Sequence, residues 1–62
     1  MVIFVVEHQD FITGRIIQHG FSLSLAQAEE ECEALWYRCG GNRLDFWVQA
    51  YIVKDGEYTV FD

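Results

Sequence analysis

Proline is absent from this chain and basic residues are scarce, four against ten acidic ones, for a formal charge of −6. With no proline, low-complexity segment, internal repeat or shift in composition to mark a linker, residues 1–62 are expected to form a single domain. The scarcity of bases argues against direct binding to nucleic acid or to an anionic membrane surface. Arg15, Arg38, Arg43 and Lys54 are too few and too scattered to neutralise a phosphate chain. Long apolar runs are missing as well. The run Met1 to Val6 has the length of a buried strand, far short of the roughly 20 residues of a membrane span. It meets Glu7 and His8 without the basic region, long apolar stretch or cleavage site of a secretory signal, and no lipidation signal accompanies it. A cytoplasmic protein is therefore expected, in whatever cell makes or receives it.

Cysteine is limited to Cys32 and Cys39. Two helical turns separate these positions by about 10.5 Å along a helix axis, whereas a disulfide tolerates at most about 6.8 Å between Cα atoms. The same separation is too long for two thiolates on one zinc ion, even with His8 and His19 as further ligands. Both cysteines are expected as buried small apolar groups, with no metal and no cofactor.

Apolar residues nevertheless make up 52% of the chain, too many for a disordered tail. Residues 2–8, rich in Val, Ile and Phe, predict a first strand. The segment from Gln9 to Gly14 has turn chemistry, with an Asp10 side chain suited to bonding its own downstream backbone and a glycine that accepts positive φ. Residues 15–18 predict a second strand, broken by Gly20. Ser24 and Gln27 have the spacing of a capping box. From there Leu25, Ala28, Cys32, Leu35, Trp36 and Cys39 recur at three- and four-residue steps, and Gly40 and Gly41 provide a stop, which predicts a helix over 25–39. Residues 45–53 predict a third strand, Asp55-Gly56 a type I′ hairpin turn, and residues 58–61 a fourth strand. The expected fold is α+β, ββαββ, with one amphipathic helix on one face of a mainly antiparallel four-stranded sheet.

Two surfaces call for explanation. Glu29, Glu30, Glu31 and Glu33 place four carboxylates in five positions, and the positions four residues after them hold no base. The cluster begins after the first turn, where the helix dipole rewards acids. Local helix stability therefore does not account for it. Beyond the solubility of a small protein, an acidic stripe of Glu29, Glu30 and Glu33 bordered by Tyr37 fits docking on a basic protein partner, with Asp55 and Glu57 as an extension. The second surface is the sheet face away from the helix. Alternation along the third and fourth strands puts two or three of Trp47, Tyr51 and Phe61 there, near Ile3 and Val5. Such an apolar patch is expected to be covered by loops, by a second copy in a homodimer, or by a partner.

Catalytic patterns are lacking: no G-x-S-x-G, P-loop, H-E-x-x-H or G-x-G-x-x-G occurs. His19 and Asp10 could pair across the first hairpin, but a solvated histidine is the commoner outcome at a strand end. In size, charge and lack of catalytic motifs the chain resembles the small acidic inhibitors carried by phages, including anti-CRISPR and antirestriction proteins, a likeness of composition that covers no specific motif. It implies a non-enzymatic inhibitor that engages a basic surface of a nucleic-acid-processing complex, its carboxylates mimicking phosphates. The alternative from the residues themselves is a structural or oligomer-forming protein acting through the aromatic sheet face. A domain that binds a small ligand beneath the helix is a third expectation.

Overall fold

The computed structural model of the protein describes residues 1–61; residue 62, the last of the expected unit, lies outside the described residues. Four strands form one antiparallel sheet: β1 (Val2–Gln9), β2 (Ile16–Ser22), β3 (Phe46–Lys54) and β4 (Glu57–Val60). Their spatial order is β2-β1-β3-β4, which puts β1 and β3 at the centre. The helix α1 (Leu25–Cys39) has the bounds that the sequence predicts, and it packs on one sheet face. The architecture is the expected small α+β domain.

Each end of α1 has a local cause. The Ser24 hydroxyl accepts from the Gln27 backbone N–H at 3.3 Å, so one half of the capping box forms. The other half does not, because the Gln27 amide turns to Glu31 and the Ser24 N–H donates to the Ser22 hydroxyl. At the far end Gly40 has φ 74°, and its N–H bonds the Trp36 carbonyl at 2.7 Å. A single 3₁₀ turn, Arg43–Asp45, follows, capped by the Asn42 side chain, and delivers the chain to β3.

Ala28, Cys32 and Leu35, at helical spacing, meet Val6 of β1 and Phe46 of β3 to form the core, flanked by Phe4, Trp36 and Val48. Cys32 is fully buried, but Cys39 is exposed, contrary to the expectation that both thiols are buried. Cys39 stands in the last turn, next to Gly40, and opens onto a cleft that it shares with His8 and Phe46.

Gly20 does not end the second strand. β2 runs through it to Ser22, and the register shifts there: Val5 faces Phe21 and Glu7 faces Gln18, so His19 and Gly20 together oppose Val6. This is a β-bulge, and Gly20, at φ 140°, supplies the conformation it requires. The second hairpin turn is of the expected type, with positive φ at both Asp55 and Gly56. It fixes Lys54 opposite Glu57, and hence Tyr51 opposite Val60. β4 therefore spans Glu57–Val60 and places Tyr58 and Val60 beside Tyr51. Phe61 lies past the strand end in the alternate phase, which corrects its expected place with Trp47 and Tyr51.

Candidate functional site

On α1, Glu29, Glu30, Glu33 and Tyr37 are all exposed, Tyr37 at 72%. At 100° per residue Glu30, Glu33 and Tyr37 fall opposite the buried stripe of Ala28, Cys32 and Leu35, and Glu29 falls on one flank. The structure thus leaves Glu30, Glu33 and Tyr37 on one exposed ridge, with Glu29 exposed along its flank. Glu31 belongs to the other flank, where it borders a cleft of about 330 Å³ between helix and sheet with His19 and Arg38. Asp55 and Glu57 are on a separate element, the β3–β4 hairpin, and Glu57 has Lys54 directly across the ladder.

Two of the four cations are placed away from the ridge. The Arg43 guanidinium donates to the Phe46 carbonyl at 2.7 Å and stands 5.9 Å from the Trp36 ring centroid. Arg38 lines the cleft with His19. The ridge carboxylates therefore face solvent as an acidic strip with one aromatic at its end.

The face of the sheet away from the helix holds an arrangement that the sequence reading missed. Its centre is Glu7, only 4% exposed. Tyr51 Oη donates to Glu7 Oε2 at 2.5 Å, Gln18 Nε2 to the same oxygen at 2.8 Å, and Trp47 Nε1 to Oε1 at 2.8 Å. Gln18 also donates to the Tyr51 hydroxyl at 3.2 Å, closing the network. Burial pushes the Glu7 carboxyl up, but the bonds from Tyr51, Gln18 and Trp47 outweigh it and hold it below its ordinary range. The same carboxylate, together with burial, pushes the Tyr51 phenol up. The sequence signals the place of Glu7 but not its donors: alternation from Ile3 and Val5 puts Glu7 on the aromatic face.

Tyr51 is itself buried rather than displayed, edge-on to Tyr58 at 5.2 Å between centroids, and Trp47 is half-buried. What this face shows to solvent is led by Phe21 at 65%, Ile16 at 58% and Tyr58 at 55% exposure.

The histidines meet each other rather than Asp10. His8 Nδ1 and His19 Nε2 are 2.6 Å apart, so one imidazole donates to the other, and His8 stacks on Phe46. Burial, with His8 and Arg38 nearby, pushes His19 down. The Asp10 carboxylate is occupied in its own turn, accepting from the Ile12 N–H at 2.9 Å, which holds it below its ordinary value. Among the described residues no group of three or more His, Cys, Asp or Glu side chains is placed to hold a metal ion, and no helix is long and apolar enough to cross a membrane. No family model, curated protein or solved structure matches the chain.

Proposed function

We propose that this chain is a non-enzymatic protein-binding module that acts as an inhibitor. In this reading the α1 ridge docks on a basic surface of a nucleic-acid-processing complex in the cytoplasm. Its carboxylates take the place of phosphates and exclude the nucleic acid by charge and bulk. The observation that carries this reading is the ridge itself: Glu30 and Glu33 with Tyr37 on one exposed line and Glu29 along its flank, while Arg43 turns to Phe46 and Trp36. An aromatic beside acids offers a basic partner both a charge contact and a cation–π contact. The resemblance in size and charge to phage-borne inhibitors points the same way.

The test is capture of partners from the native host with the wild-type chain and with Glu30→Lys/Glu33→Lys. The wild type should retain a DNA- or RNA-handling complex, and the double reversal should lose it with an unchanged circular dichroism spectrum. Added salt should also weaken binding, since exposed charges are screened over about 8–10 Å near physiological ionic strength. Equal capture by both chains would remove the ridge from the mechanism.

A further inference from the structure

The sheet face opposite α1 is a surface with almost no charge on a strongly acidic protein. Strand alternation and register assign to it Ile3 and Val5 of β1, Gln18 and Phe21 of β2, Trp47 to Val53 at every second position of β3, and Tyr58 and Val60 of β4. Its sole charged strand residue is Glu7, already withdrawn from water beneath three donors. A partner covering this face would therefore strip little further hydration from that carboxylate. The acids of α1 all belong to the opposite layer.

We propose that this face is the interface of a twofold homodimer, two sheets packed face to face. It stands apart from the reading of the helix ridge. Charge selects the occupant. A basic partner has no exposed carboxylate to meet here, whereas an uncharged aromatic face is matched by its own copy. The geometry also keeps like charges apart. Packed sheets lie about 10 Å from each other and a helix adds about 10–12 Å to each side, so the two acidic ridges end roughly 30–40 Å apart, several screening lengths. Phe21 and Tyr58, the large exposed aromatics at the two borders of the face, would supply its anchors.

Sedimentation equilibrium from micromolar to near-millimolar concentration tests this, on the wild type, Phe21→Asp, Tyr58→Asp and the off-face control Leu44→Asp. The wild type and the control should reach twice the chain mass. Each aromatic replacement should raise the dissociation constant about thirtyfold or more, the effect of losing a hot-spot residue. Salt should leave the dimer nearly unchanged, because the acidic ridges already lie several screening lengths apart, whereas it should weaken ridge binding, so the two ideas fail separately. In the wild type, a soluble paramagnetic agent should reach the Ile3 and Val60 methyl groups in dilute samples and not in concentrated ones. That measurement decides the matter even if the Asp variants unfold. A monomer at the highest concentration, leaving the face to a different protein, overturns the proposal. So does a dimer whose protection maps to the β2 or β4 backbone edge rather than to the face.

Discussion

The Tyr51 hydroxyl donates to the Glu7 carboxylate at 2.5 Å, joining neighbouring strands across 44 residues of chain. Tyr51 is held by its strand, by Tyr58 edge-on and by a second bond from Gln18, so the pair fixes β1 against β3 as well as satisfying a buried charge. Glu7→Gln keeps the shape but replaces one acceptor oxygen by an amide donor, which then opposes either Tyr51 or Trp47. Leaving such a group unsatisfied costs about 1–3 kcal/mol. Tyr51→Phe removes one donor of three and should cost less, about 0.5–1.5 kcal/mol. Urea unfolding at neutral pH measures both, and a Glu7→Gln variant as stable as the wild type would reduce the cluster to a bystander.

Acid should weaken the fold in two steps. His19 has a folded pKa below its ordinary 6.5, so the unfolded chain takes up that proton first. Its stabilising contribution is complete above 6.5 and is lost as pH falls toward the lower folded value. Glu7 has a folded pKa below its ordinary 4.5, so its contribution is present above that value and is lost as pH falls through the folded one. Urea midpoints recorded across acidic pH should show both slopes. His19→Gln should remove the upper slope, and Glu7→Gln should shrink the lower one to the share of Asp10, whose carboxylate is also held below its ordinary value; a stability that rises on acidification would contradict both assignments.

The helix was legible because its signals are local: a serine cap, a three-and-four apolar rhythm and a glycine stop lie within the segment they shape. Gly20 was not, since a bulge exists only relative to the strand it faces, and the same glycine beside an unknown partner looks like an ending. Phe61 shows a related difficulty with a remedy. Counting outward from the two-residue turn at Asp55 and Gly56 pairs Lys54 with Glu57 and puts Tyr58 and Val60, not Phe61, beside Tyr51. The acidic ridge follows from periodicity alone. The Glu7 cluster does not, because its donors come from residues 18, 47 and 51 and meet only once the strand order is known.

Gly20 offers a direct test of the bulge. A Cβ added there meets no atom within 4 Å, so any loss on substitution comes from backbone strain at φ 140° and not from a clash. Gly20→Val should cost about 1–3 kcal/mol. Amide exchange should quicken in β2 while the protection of β3 and β4 holds, whereas a neutral substitution would mean that this backbone relaxes to an ordinary strand.

The two thiols should part company. Cys32 is fully buried where α1 meets β1 and β3, and Cys39 is exposed near the end of the same helix. Cys32→Ser buries a hydroxyl in an apolar core. Bonding back to the Ala28 carbonyl offsets part of that burial, which leaves a cost of about 1–2 kcal/mol. Cys39→Ser, at the surface, should stay within about 0.5 kcal/mol of the wild type. A thiol reagent should label Cys39 at once and Cys32 only at the rate at which the core opens. Fast labelling of both would mean that the helix lifts from the sheet far more readily than the packing of Cys32 against Val6 and Phe46 implies.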